Sequence, residues 1–205
     1  MSAMRCFRVW TTLLAVGLIA PLATATISHA TEKLVEDNSK STTLSRTERL
    51  NQLFSDLKRQ RDPDAAKTTT ELIRSELTDS GSATINLLMQ WSDEAVRNKR
   101  NDAALDFLDQ ITILKPDFAE GWNHRAKLHF LMGNKRKAMA DLNQVLAIEP
   151  RHIGALSGLA TILAERSNDE LALKAWEQLL EVYPADRRAQ EQVSTLAEKI
   201  AGRGI

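Results

Sequence analysis

Cysteine occurs once in the chain, at Cys6, and tyrosine once, at Tyr183. A framework of disulfides is therefore excluded, and so is a cysteine-ligated zinc site. Aromatic residues make up 5%, glycine occurs 8 times and proline 5 times, a composition that suits helices better than a β-sandwich with its many tight turns. Charge of either sign is not in excess, with 27 basic and 27 acidic residues, so no global field draws the chain to nucleic acid. Catalytic signatures are missing too. There is no Gly-x-Ser-x-Gly, no phosphate-cradling glycine loop and no His-Glu-x-x-His, and the serines fall in turns, caps and exposed faces. An enzyme is not expected, and neither is a cofactor.

The one long apolar run lies at the start. Arg5 and Arg8 precede Val9 to Ala20, Pro21 ends the run, and Ser28-His29-Ala30 offers a small-x-small cleavage site before Thr31, with Ala23-Thr24-Ala25 as a second. The run is short of the ~20 residues that a spanning helix needs, so residues 1–30 are expected to be a cleaved signal peptide rather than an anchor. Arg5 and Arg8 are not adjacent, which disfavours the twin-arginine route. Cys6 precedes the apolar run, where a lipid-bearing cysteine would follow it. Cleavage removes Cys6 and two arginines, leaving 25 basic against 27 acidic residues and no thiol. A periplasmic destination follows as the expectation.

What is present is a period. Pro116, Pro150 and Pro184 stand 34 residues apart, as do Ala104, Ala138 and Ala172. Leu88, Trp122 and Leu156 keep the same interval, with Leu108, Leu142 and Trp176, and Ile111, Val145 and Leu179. Small residues and large apolar residues at fixed offsets, closed by proline, mark a helix pair repeated in series. Repeats are placed at 85–118, 119–152 and 153–186, with first-helix packing residues Leu88, Trp91, Ser92 and Ala95, then Trp122, Arg125, Ala126 and His129, then Leu156, Leu159, Ala160 and Leu163. All of Trp91, Trp122 and Trp176 are expected in the core.

Residues 31–44 read as a flexible linker, and 45–84 as a degenerate helix pair with its connecting loop. Ser45-x-x-Glu48 is a capping box ahead of Leu50, Leu53, Phe54 and Leu57, and Asp62-Pro63 opens the second helix. Four extra residues, Asp79-Ser80-Gly81-Ser82, separate this pair from the clean register. Residues 187–205 carry Val193, Leu196 and Ile200 on one face and are expected to cap the array.

These rows match the tetratricopeptide-repeat (TPR) family over about two-thirds of the chain beyond residue 30. The resemblance implies an all-α, right-handed α-solenoid of stacked antiparallel helix pairs. Glu120-Gly121-Trp122-Asn123, Glu149-Pro150-Arg151-His152 and Gly154-Ala155-Leu156-Ser157-Gly158-Leu159 are similar to secreted alphaproteobacterial members tied to cell-envelope maintenance. In the family, one face of each first helix lines a concave groove for a protein or peptide partner. Here that face carries Asn86, Met89, Asp93 and Val96, then Glu120, Asn123, Lys127 and Phe130, then Gly154, Ser157, Thr161 and Ala164. Asp93 stands where the chaperone-binding type places a carboxylate clamp and would repel a carboxylate, which sets that specialisation aside. Gly154, Ser157 and Ala164 leave room for a second backbone, with Phe130 and Leu131 as an apolar anchor or as packing between repeats.

Other constellations support less. His124 and His129 are five apart, off the i, i+4 spacing of a helical zinc pair, and no metal site is expected. Glu149, Arg151 and His152 are expected to fix a repeat junction by local bonding. Arg97, Lys99 and Arg100 lie at the turn between helices of the first repeat and Lys135, Arg136 and Lys137 at the equivalent turn of the second, a basic edge open to anionic lipid or lipopolysaccharide phosphate as the alternative to the groove. The sequence does not fix the oligomeric state.

Overall fold

The computed structural model describes residues 44–202; the signal segment, most of the linker and residues 203–205 lie outside the described residues. All regular structure among the described residues is helical. α1 (Arg46–Arg59) and α2 (Pro63–Thr78) form a hairpin, followed by three pairs: α3 (Ala83–Arg97) with α4 (Asn101–Leu114), α5 (Ala119–Leu131) with α6 (Lys135–Ile148), and α7 (Ile153–Glu165) with α8 (Asp169–Val182). α9 (Arg187–Gly202) closes the array against α8.

Each pair meets through its small residues. Ala95 with Ala104, Ala126 with Ala138 and Ala160 with Ala172 are all essentially without solvent contact, which lets two backbones approach and lets Leu108, Leu142 and Trp176 fill the space behind them. Between pairs, Gly121 lies so close to Ile111 that an added Cβ would stand 2.5 Å from Ile111 Cγ2. Only a missing side chain permits that approach.

The period also appears in the backbone. Lys99, Gly133 and Ser167, spaced by one repeat, have φ of 56°, 79° and 59°, the left-handed residue that ends each first helix. Only one of the three is glycine, so Lys99 and Ser167 hold a conformation that costs a residue with Cβ ~1–2 kcal/mol.

The α1–α2 hairpin departs from the serial arrangement. Its helices are held together by Arg49–Glu76 at 3.0 Å and by Arg46 bonding the Glu76 carbonyl, and they enclose Phe54, Leu57, Ala66 and Ile73. The capping box forms as the sequence indicates: Glu48 N donates to Ser45 Oγ and Ser45 N donates to Glu48 Oε2. The hairpin does not extend the row ahead of α3. It packs instead on α5, on the start of α7 and on the end of α8, with Ile153, Val182, Tyr183 and Ala185 against its apolar side.

One core assignment changes as a result. Trp176 is 2% exposed, but Trp91 is 44% exposed, with its ring beside Phe107 at a centroid distance of 5.7 Å. Trp91 lies one period before Arg125, which faces the preceding pair, and no pair precedes α3.

Candidate functional site

The inner faces of α3, α5 and α7 bring most of the groove residues together, but not as a uniformly open surface. Asn86 belongs to the α2–α3 connection: its Oδ1 accepts from the Ser80 hydroxyl at 2.6 Å and its Nδ2 donates to Asp79 at 3.2 Å. Met89 is buried, which corrects its placement on an accessible face, because its side chain joins the core of the first pair.

Further along, the polar residues bond to one another. Asp93 Oδ1 is 3.2 Å from His124 Nδ1, and His124 Nε2 is 3.8 Å from Glu120 Oε2. That same Glu120 oxygen accepts from Asn123 Nδ2 at 2.6 Å, while Glu120 Oε1 lies 3.4 Å from His152 Nε2. His152 Nδ1 accepts from Ala155 N at 3.1 Å, so His152 caps α7 and carries its neutral-state proton on Nε2, facing Glu120. A chain of carboxylates and imidazoles thus crosses the array from α3 to α7, and Glu120, Asn123 and His152 within it are buried. Gly154 makes room for it, since a Cβ there would stand 3.2 Å from His152 Cε1.

Burial alone would raise the Glu120 carboxyl. The adjacent His152, the Asn123 amide and Lys127 outweigh it and bring it down to about 2. Glu149 follows the same pattern: burial raises it, and Arg151, by side chain and backbone N–H, brings it below the usual carboxylate range. For Asp93 the leading influence is the bond to His124, which lowers it. A depressed carboxyl stabilises the fold above its unfolded pKa and loses that contribution as pH falls toward its folded value. These carboxyls therefore contribute fully above about 4.5 and lose that contribution between there and about 2, while His129, whose imidazole burial pushes below its ordinary value, already lowers stability as pH falls through that value. Urea midpoints measured across that range test this, and Glu120→Gln should flatten the acid limb.

At the junction, Arg151 grips Glu149 through two 2.8 Å bonds, as expected of local bonding. It also does what sequence reasoning missed. Its Nη1 donates to Asn51 at 2.9 Å and its guanidinium sits 4.2 Å from the Phe54 ring centroid, so Arg151 ties the hairpin to the repeats.

Two hollows result. One, of about 230 Å³, lies between α2 and the starts of α5 and α7, with Ile73, Leu77, Glu120, Asn123 and His152 in its wall. The other, of about 310 Å³, lies between α5 and α7 and is open along the groove, with Phe130, Leu142 and Ile162 as apolar lining, Ser157 and Thr161 as hydroxyls, and Arg188 of α9 alongside. Lys127 borders both. The Ser157 and Thr161 hydroxyls donate to Gly154 and Ser157 carbonyls, which leaves their lone pairs to accept. Asn123 lines both hollows; its Nδ2 is committed to Glu120, and its Oδ1 is buried without a hydrogen-bond partner. Phe130 reaches the open hollow, whereas Leu131 is 70% exposed outside it.

On the basic edge, Arg97, Lys99, Arg100, Arg136 and Lys137 are exposed, and Lys135 is paired with Glu165 at 2.7 Å. Among the described residues, no cluster of histidine and carboxylate side chains could hold a metal, and no helix is long and apolar enough to cross a membrane.

No protein-family model matches the chain. A TPR repeat-containing protein of Rhizobium etli is 57% identical over 203 residues, which is 98% of each chain. Among solved structures, the first TPR domain of Spaghetti (RPAP3), bound to the HSP90 peptide SRMEEVD, superposes with a TM-score of 0.55 at 20% identity, over 58% of this chain and 95% of that one. MamA superposes with a TM-score of 0.53 at 16% identity, over 68% of this chain and 80% of that one. The stacked helix pairs, their 34-residue period and the whole-length relative agree, and the chain belongs to the tetratricopeptide-repeat family.

Proposed function

We propose that the protein is a non-catalytic periplasmic scaffold that holds a protein or peptide partner in its concave groove and so supports the cell envelope. The observation carrying this reading is the open hollow between α5 and α7, which combines an apolar lining with the Ser157 and Thr161 hydroxyls and two cations, Lys127 and Arg188. Such a site suits a short chain segment with one apolar side chain for Phe130, a backbone N–H for the Ser157 or Thr161 hydroxyl and an acidic group near Lys127 or Arg188. A peptide bound to the Spaghetti domain is a precedent for this use of the fold.

Ser157→Trp should fill the hollow and reduce partner capture from envelope extracts at least tenfold, with helicity and melting nearly unchanged. Lys135/Arg136/Lys137→Ala should spare capture and weaken only salt-sensitive contact. The second reading, a peripheral binder of anionic lipid or lipopolysaccharide, draws on the basic turns of two successive repeats, exposed at Arg97, Lys99, Arg100, Arg136 and Lys137. If the basic-edge variant loses the partner and Ser157→Trp keeps it, that second reading replaces the first.

Export rests on Arg5, Arg8, the apolar run and Ser28-His29-Ala30. N-terminal sequencing of the protein from cells should begin at Thr31 or within a few residues of it. Intact Met1 in the soluble cytoplasmic fraction would remove the periplasm from the account.

A further inference from the structure

The hairpin covers the groove floor while the face it would cover in a serial array stays bare. Leu87 and Trp91 on α3 are 42% and 44% exposed. One period later their slots hold Gly121, against Ile111, and Arg125, bonded to Asp109 and Thr112, all contacts to the preceding pair. Two periods later the slots hold Ala155, fully buried, and Leu159. Leu87 and Trp91 therefore occupy positions shaped to receive a preceding helix pair, and among the described residues the pair tethered beside them is α1–α2.

The tether permits exchange. Asp79–Ser82 is a polar connection with Gly81 at φ 71°, a position where glycine turns the chain without strain. The Arg49–Glu76 clasp and the packing of Phe54, Leu57, Ala66 and Ile73 hold the two helices of the hairpin together, so it can move as a unit, uncovering Ile153, Val182, Tyr183 and Ala185 as it leaves. Its seam with the repeats holds a hollow of about 230 Å³ lined in part by Asn123, and along that seam Asn51 and the ring of Phe54 converge on Arg151, while Phe54 also packs with Ala185.

We propose that the hairpin has two docking places on its own chain. In the closed arrangement seen here it sits over Glu120, Asn123 and the start of α7. In the open arrangement it swings about Asp79–Ser82 and stacks on α3–α4 as a fourth helix pair, burying Leu87 and Trp91 and exposing the groove floor. Such a change gates the site proposed above, and a partner that prefers the exposed floor shifts the balance toward the open form. The idea rests on the groove reading for its purpose, but its test needs no partner.

The test uses the full chain with Cys6→Ser and a single new thiol, Leu87→Cys, followed by thiol labelling and hydrogen exchange. With Arg151 intact, Cys at 87 should label rapidly. Adding Arg151→Ala should slow that labelling at least fivefold, speed amide exchange around Glu120–Asn123, and leave the hairpin helical. Asn51→Ala, which spares the Arg151–Glu149 pair, should act in the same direction more weakly. Unchanged or faster labelling at position 87 in both variants overturns the proposal, as does a hairpin that exchanges only with global unfolding. Failure here leaves the groove reading standing, and failure of Ser157→Trp leaves the hinge standing.

Discussion

Trp176→Ala should destabilise the protein by ~3–5 kcal/mol, the largest loss expected from any single truncation in the array. Trp176 is 2% exposed and sits among Leu156, Ala160, Leu179, Ala189 and Leu196, so the lost indole leaves a cavity shared by α7, α8 and α9. The small residues around it cannot expand to fill the space. Because a solenoid couples chiefly neighbouring pairs, the C-terminal third should loosen first, and exchange of α8 and α9 amides should accelerate before that of α4. Trp176→Phe should cost far less. It keeps most of the apolar volume and removes an indole N–H that is buried without a hydrogen-bond partner. Equal midpoints for Trp176→Ala and the parent would reject the register of the third pair.

Arg125→Ala should cost ~3 kcal/mol, by a different route. Arg125 forks onto both oxygens of Asp141 at 2.7 and 3.0 Å, reaches Asp109 at 2.7 Å and Thr112 at 2.9 Å, and lies 4.7 Å from the Trp122 ring centroid. It thereby joins α4 to the α5–α6 pair. Truncation leaves the Asp141 carboxylate, 5% exposed, without its main counter-ion. Arg125→Lys should recover only part of the loss, since an ammonium cannot repeat the fork. Arg125→Met with Asp141→Leu should recover much more, because removing both charges removes the desolvation problem with them. Urea midpoints for the three variants check the order.

The architecture was legible because five rows of residues repeat at one interval, and each row has a mechanical role that the structure displays. The alanine rows let helices approach, the leucine and tryptophan rows fill the gap, and the prolines end second helices. The left-handed row at 99, 133 and 167 was not legible, since a lysine and a serine hide a position that only Gly133 advertises. The docking of the hairpin was not legible either. Leu50, Phe54 and Leu57 declare that α1 buries one face, but an amphipathic pattern does not name the surface it meets. That surface is formed by Ile153, Val182, Tyr183 and Ala185, with Arg151, a hundred residues from Asn51, bonded across it. The misplaced Trp91 and the covered Glu120 and Asn123 both follow from it. Helical spacing indicates which residues share a face of a first helix, and tertiary packing then decides which of them stay open, as burial of Met89 in the core of its own pair shows.

Photocrosslinking in living cells tests the central claim most directly. A photoreactive amino acid in place of Thr161 reports from within the open hollow, and the same group in place of Arg136 reports from the basic edge. The groove account predicts a discrete polypeptide adduct from position 161, lost when Ser157→Trp is added, and none from position 136. An adduct from position 136 alone, insensitive to Ser157→Trp, would contradict it.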